Sequence, residues 1–177
     1  MRLILLRHGE TMWNAEGRIQ GHDNSPLSAR GIEQARRFVG YARALQPYRV
    51  VSSDLGRTRQ TAEIIGHGDC PADPRLREFD IGVWTGRARA ELLAEEADNY
   101  HAWRAGTYAP EGAEIWSVFR DRIAGGLRHW LSNEPGDLLA IVHGGVIRAA
   151  CDAFLGLPPS RVIPVTPGTA TIFSFSD

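Results

Sequence analysis

Apolar residues recur along this chain with two different spacings, and the alternation of the two outlines its elements. Residues 2–6 (RLILL) form a short, nearly continuous apolar run, the pattern of a buried strand. The polar stretch NSPLSARG follows as a loop with Ser28 placed to cap a helix. Ile32, Ala35, Phe38, Val39, Ala42 and Leu45 then recur at helical spacing, giving an amphipathic helix that ends near Leu45. Residues 48–52 (YRVVS) read as a second strand. SDLGRTRQTAEII opens with capping residues and sets Thr58, Thr61, Ala62 and Ile65 on one helix face. Residues 66–76, rich in Gly, Pro and Asp, are expected to be a loop. From residue 113 to 131 the stripe Ile115, Val118, Phe119, Ile123, Leu127 and Trp130 predicts another helix. DLLAIVH (residues 137–143) is the most strand-like run in the chain. A helix follows over residues 146–155, ended by Gly156 and Pro158, and ATIFSF (170–175) reads as a final strand. Strands alternating with helices imply an α/β sheet covered by helices on both faces. No repeat, low-complexity tract or linker divides the chain, so residues 1–177 are read as one domain.

Composition narrows the function classes. The 177 residues carry 43% hydrophobic and 23% charged side chains, ordinary for a globular protein, and a formal net charge of −1. That balance gives no reason to expect nucleic acid or an acidic membrane surface as a partner. Cys70 and Cys151 are far apart and lack a CxxC spacing, so they are expected to be free thiols in a reducing compartment. The N-terminal apolar run, Leu3 to Leu6, stops at Arg7, too short for a signal segment or a membrane span. The expected location is cytoplasmic.

The strand ends carry the chemistry. In open α/β sheets ligands bind beyond the carboxyl ends of the strands, where loops and helix N-termini gather. Arg7-His8 follows the first strand, Ser53 to Arg57 the second, and His143-Gly144-Gly145 the run LLAIV. Two histidines and two arginines thereby have a route to one site from distant positions. Glu78, in RLREFDIGVW, adds a proton donor, with Asp80 as a competitor. A nucleophile, a cationic cradle and an acid suit phosphoryl transfer, where catalysis is mostly positioning and charge neutralisation.

The stretches LLRHGETMWN, GRIQGHDNSPLSARGIEQA, SSDLGRTRQTA, LREFDIGVWTG, APEGAEIWSVFRDRI and IVHGGVIRA, in that order, resemble the histidine phosphatase superfamily in its phosphoglycerate-mutase-like branch. RHG alone is a modest signal, whereas RHGET with a downstream SSDLxRTxQTA and a late HGG is highly specific. The resemblance implies a three-layer α/β/α sandwich with a mainly parallel central sheet. It implies His8 as the nucleophile that becomes a phosphohistidine, Arg7 and Arg57 as the pair gripping the phosphate, His143 as the second histidine supporting the phosphoryl oxygens, and Glu78 as the general acid. Asn14, Gly21 and the Gly144 amide complete the implied phosphate-binding set.

Physical chemistry agrees with these roles. The attacking imidazole must be neutral, and neighbouring Arg7 and Arg57 disfavour its protonation. Guanidinium forks match phosphate oxygens better than ammonium groups do. Glu78 has to hold a proton for a leaving alkoxide, which burial and a nearby phosphate both promote. His22, His67, His101 and His129 are expected in loops or on the surface, with His22 near enough to line the site. Glu10 is expected to be a structural hydrogen-bonding partner, and Trp13, Trp116 and Trp130 to be packing residues. No HxH, HExxH or carboxylate cluster suggests a metal.

The sequence does not identify the substrate; residues 85–110 contain Arg87, Arg89, His101, Trp103 and Arg104. The resemblance implies that this region covers the site, and the alternative is an ordinary solvated helix pair. The family's mutases carry a longer insertion here and a tyrosine-containing run after the Glu, whereas FDIGVWTG looks like the phosphatase members. PEGAE departs from the family's PGGES, with Ala113 and Ile115 in place of Gly and Ser, and VTPGTATIF lacks an asparagine expected before the last strand. The expectation is a metal-independent phosphatase acting on small phosphorylated metabolites, monomeric or homodimeric and without a cofactor. Two alternatives stand beside it: a phosphoglycerate mutase needing a bisphosphoglycerate primer, and a binding protein of the same fold without turnover.

Overall fold

The computed structural model describes residues 1–132 and 136–175, with four strands in one sheet. The strands are β1 (Arg2–Arg7), β2 (Arg49–Ser52), β3 (Leu138–Val142) and β4 (Ala170–Ser174), in the order β2-β3-β1-β4. β3 runs parallel to both β1 and β2, with Leu3 opposite Leu138 and Arg49 opposite the same residue. β4 closes the far edge antiparallel to β1. The sheet is therefore mainly parallel, and the three parallel strands end on one side.

Alternation along the strands sorts the core into two layers. Leu3, Leu5, Leu138, Ala140 and Val142 face one cluster, and Ile4, Leu6, Leu139 and Ile141 face the other. Two long helices supply most of the first: α6 (Trp116–Ser132), through Phe119, Ile123 and Leu127, and α7 (Gly144–Leu155), through Val146, Ile147 and Ala150. The second is covered by α2 (Ala29–Leu45), through Ala35, Phe38 and Ala42, and by α3 (Gly56–Ile64) with Ala62. Because β3 is buried on both faces, all five of its residues are apolar, which is why it was the clearest strand in the sequence.

Several element limits differ from the sequence pattern, each for a local reason. Ser28 does cap α2, accepting from Gly31 N, but the helix starts at Ala29. The helix expected from residue 113 begins at Trp116, because Ala113 instead bridges to Ile81. Ile115 and Val118, assigned to its apolar stripe, are more than half exposed; the buried face follows Trp116, Phe119, Ile123 and Leu127. The helix expected from Val146 opens two residues earlier, at Gly144. The loop over 66–76 contains one 3-10 turn, Pro74–Leu76, capped by the Asp73 carboxylate. A four-residue helix, α1 (Met12–Ala15), escaped the periodicity because it buries no apolar side chain; a Thr11–Asn14 capping box holds it instead. Residues 85–110 fold as α4 (Arg89–Glu95) and α5 (Ala97–Ala105). Both cysteines are free and buried, and among the described residues no helix is long and apolar enough to cross a membrane.

Candidate active site

The parallel register extends one residue beyond the strands and delivers the polar side chains. His8 N donates to Val142 O at 3.0 Å and Ser53 N donates to Ile141 O at 3.0 Å, so His8, Ser53 and His143 leave the sheet side by side. The rings of His8 and His143 lie edge to face with centroids 5.2 Å apart. Above them opens a cavity of about 350 Å³, lined among others by Arg7, His8, Asn14, Gly21, Arg57, Glu78 and Gly144.

His8 is buried and its tautomer is set by one bond: Nδ1 lies 2.7 Å from the Gly9 carbonyl, which only accepts, so Nδ1 carries the proton. Nε2 is left with its lone pair. Burial first, then the charges of Arg57 and Arg7, hold the imidazole's pKa well below its ordinary value of 6.5. A neutral imidazole with a free Nε2 beside two guanidinium groups is what attack on phosphorus requires.

The two arginines are held by neutral acceptors. Arg57 donates from Nε to His143 Nδ1 at 3.2 Å, from Nη1 to Asp23 O and from Nη2 to Gly21 O, both at 2.8 Å. Burial chiefly lowers its pKa, to about 10, yet leaves it cationic at neutral pH. Arg7 donates from Nη1 to Val165 O, in the loop that precedes β4. Carbonyls orient both groups without cancelling their charge, so the positive potential remains for an anion. Gly21 contributes through its carbonyl and its backbone: φ is +54°, and a Cβ there would lie 2.8 Å from Ile81.

His143 is wholly buried one layer behind the cavity. Since Nδ1 accepts from Arg57, Nε2 carries the proton and donates to Ser53 Oγ at 2.9 Å. Both ring nitrogens are thus taken up by protein partners, and in this arrangement His143 orients Arg57. Burial and the Arg57 charge keep its pKa well below 6.5, so it too is neutral.

Glu78 faces the cavity, whereas its competitor Asp80 is turned away and accepts from Gly82 N at 3.0 Å. The Glu78 carboxylate accepts from Phe79 N at 2.8 Å and from Gly145 N at 3.0 Å. A Cβ on residue 145 would sit 2.0 Å from Glu78 Oε1, which accounts for the second glycine of HGG. Asn14 Oδ1 accepts from Thr11 N at 3.2 Å, leaving its amide donors for the cavity. Glu10 plays the structural part expected, accepting from Ser28 Oγ at 2.9 Å. His22 supports the acid rather than lining the cavity: its Nε2 lies 2.8 Å from Glu78 O. Among the described residues no three His, Cys, Asp or Glu side chains converge in a way that could hold a metal ion.

The profile of the histidine phosphatase superfamily (branch 1) matches residues 3–177. The chain belongs to this superfamily. It is 40% identical over 169 residues to the probable phosphoglycerate mutase GpmB of Cronobacter sakazakii, covering 89% of this chain and 76% of that one. The mycobacterial glucosyl-3-phosphoglycerate phosphatase, solved with VO3, superposes with a TM-score of 0.89 at 32% identity, covering 98% of this chain and 92% of the other. YhfR of Bacillus stearothermophilus superposes equally well, at a TM-score of 0.89 and 30% identity over 99% of this chain and 91% of its own. Of the residues expected from the sequence, Arg7, His8, Asn14, Gly21, Arg57, Glu78 and Gly144 line the cavity, as do Arg89, Trp103 and Arg104 of residues 85–110, with His143 buried behind it; Arg87, which pairs with Glu95 and Glu96, and His101 do not line it. Reasoning from the sequence placed Ser53 at a strand end without giving it a part, which is to hold His143, and it missed Arg148, which lines the cavity. The signal for Arg148 was a lone cation one turn along a helix that otherwise reads GGVIxAAC.

Proposed function

We propose that this protein is a phosphatase of small phosphomonoesters, working through a phosphohistidine on His8. The observation that carries the reading is the free Nε2 of a neutral, buried His8 between two carbonyl-held guanidinium groups. A substrate phosphoryl group seats against Arg7, Arg57, the Asn14 amide and the Gly144 N–H. His8 Nε2 attacks phosphorus while Glu78 gives its proton to the departing alkoxide. Water, deprotonated by Glu78, then attacks the phosphohistidine, releasing phosphate and restoring His8. Arginines supply the charge neutralisation, so no metal ion is called for, and extensive chelation is expected to leave the rate unchanged. Activity lost in chelator and restored by a divalent ion would contradict this.

A mutase returning the phosphoryl group to a sugar acid is the second reading, and the relative named probable phosphoglycerate mutase favours it. Against it stands the likeness to the mycobacterial glucosyl-3-phosphoglycerate phosphatase, whose fold this chain shares. The deciding assay supplies 3-phosphoglycerate with and without a bisphosphoglycerate primer. Release of inorganic phosphate without primer-dependent formation of 2-phosphoglycerate supports the phosphatase. Primer-stimulated isomerisation with little phosphate release supports the mutase.

A further inference from the structure

The charge in the cavity exceeds what one phosphate requires. Arg7, Arg18, Arg57, Arg89, Arg104 and Arg148 line it, against a single carboxylate, Glu78. A phosphomonoester dianion seated at Arg7 and Arg57 leaves the others uncompensated. Arg18 has outside partners, since it reaches the Gly86 carbonyl at 2.7 Å and lies over the Trp13 ring. Arg148 is different. It is only 4% exposed, and among the described residues it makes one hydrogen bond, from Nη2 to the Arg104 carbonyl, and no ion pair. Its Nε is buried without a partner. Trp103, also lining the cavity and 8% exposed, has its indole Nε1 buried without a partner. Buried donors of this kind cost free energy until an acceptor meets them.

Their position sets the ligand. Arg148 follows Gly144 by four residues on α7, just over one helical turn or about 6 Å along the axis from the amide at the phosphate end. The Arg148 guanidinium lies 5.2 Å from the centre of the Trp116 ring, a cation–π contact that holds it in place. Burial, followed by the like charge of Arg104, lowers the Arg148 pKa to about 10. Arg104 lines the same cavity as Arg7, and its backbone carbonyl accepts from Arg148, so the two cations stand together.

We propose that Arg148, Arg104 and the Trp103 indole N–H form a second anion subsite, selecting phosphomonoesters that carry another acidic group a few bonds from the phosphate. A carboxylate and a second phosphate share the needed chemistry: an anionic oxygen that accepts from a guanidinium and an indole N–H. The proposal rests on the reading of His8 and its arginines as the phosphate end.

The test compares three ligands: glycerol 3-phosphate, which lacks the second anion; 3-phosphoglycerate, which replaces its terminal CH2OH by a carboxylate; and 2,3-bisphosphoglycerate, which adds a phosphate. Each is titrated calorimetrically into the full chain carrying His8→Ala, so that no transfer occurs. At least one acidic ligand is expected to bind about tenfold or more tightly than glycerol phosphate, the contribution of one charge-assisted bond, and the tighter of the two identifies the anion. Adding Arg148→Met or, should that variant not fold, Trp103→Phe is expected to shrink the preference to less than about threefold, since the donor itself is gone. Equal affinities for all three, or a preference surviving in the folded variants, would overturn the subsite. Phosphate release by the unmodified chain is measured alongside. Its absence would contradict the proposed phosphatase and leave the affinity ratio to decide the subsite by itself.

Discussion

The floor and the cover of the cavity are built by different forces. The floor is a row of strand ends: His8, Ser53 and His143 continue the ladder of three parallel strands, and backbone carbonyls orient what they carry. The cover is an aromatic stack. Trp103 of α5 lies parallel to Phe79 at 6.1 Å and edge-on to Trp84 at 5.8 Å, while Phe79 stacks on Phe119 of α6 at 4.6 Å. Hydrogen bonds fix the floor to tenths of an ångström in defined directions, which suits attack on phosphorus. Ring stacking tolerates changes of side chain and tilt, which suits a wall that adapts to different esters. Chemistry and selectivity are thereby assigned to separate parts, and substitutions should separate them.

The largest effect is expected at Arg57. Arg57→Ala removes a cation needed by every phosphoryl group and unseats His143, so kcat/KM should fall by about 10³–10⁵-fold, alike for alkyl and aryl phosphates. A loss confined to one class would place Arg57 outside the phosphate end. Glu78→Gln comes next. Its loss should be about 10²–10⁴-fold for alkyl phosphates, whose alkoxide needs a proton, and much smaller for nitrophenyl phosphate. Gly145→Ala should share that leaving-group dependence, because its Cβ displaces the Glu78 carboxylate. Should Asp80→Asn show the dependence instead, the acid has been assigned to the wrong carboxylate.

Why the floor was legible in the sequence and the cover was not follows from the same contrast. Arg7-His8 and His143-Gly144-Gly145 sit directly after apolar runs, so local pattern alone places them at strand ends. Glu78 was identifiable within LREFD, but its choice over Asp80 depended on the Gly145 amide, 67 residues away. Ile115 and Val118 misled because an apolar side chain at roughly helical spacing says nothing about which neighbour covers it. For the cover, Arg104 and Trp103 were visible as residues. Their meeting with Arg148, which donates to the Arg104 carbonyl, brings together residues 44 positions apart, which no short stretch records. Metal, oligomeric state and location leave no comparable mark.

Breaking the cover should cost stability before it costs chemistry. Trp84→Ala, in the stack and outside the cavity lining, is expected to lower unfolding stability by about 3–5 kcal/mol. Below the new Tm, kcat for aryl phosphates should stay near that of the parent. A chemical step slowed as much as by Glu78→Gln would show that cover and floor are not separable.

The smallest expected effect belongs to the floor and follows pH. His8 and His143 are held neutral by burial, with folded pKa values below the unfolded 6.5. The unfolded chain therefore binds more protons below pH 6.5. Stability is complete above that value and declines as pH falls towards the folded pKa values, by about 1.4 kcal/mol per pH unit for each imidazole. Denaturant titrations between pH 7 and 5 should show this slope, and His143→Asn should remove about half of it. An unchanged slope in that variant would mean that His143 is not buried neutral.

The central claim is that His8 Nε2 takes the phosphoryl group, and a rapid acid-free quench of turnover with a 32P-labelled phosphomonoester tests it most directly. The account predicts protein-bound label that survives base, is lost in mild acid, maps to the peptide containing His8, and is absent from His8→Ala. Label carried by another residue, or retained when His8 is replaced, would contradict it.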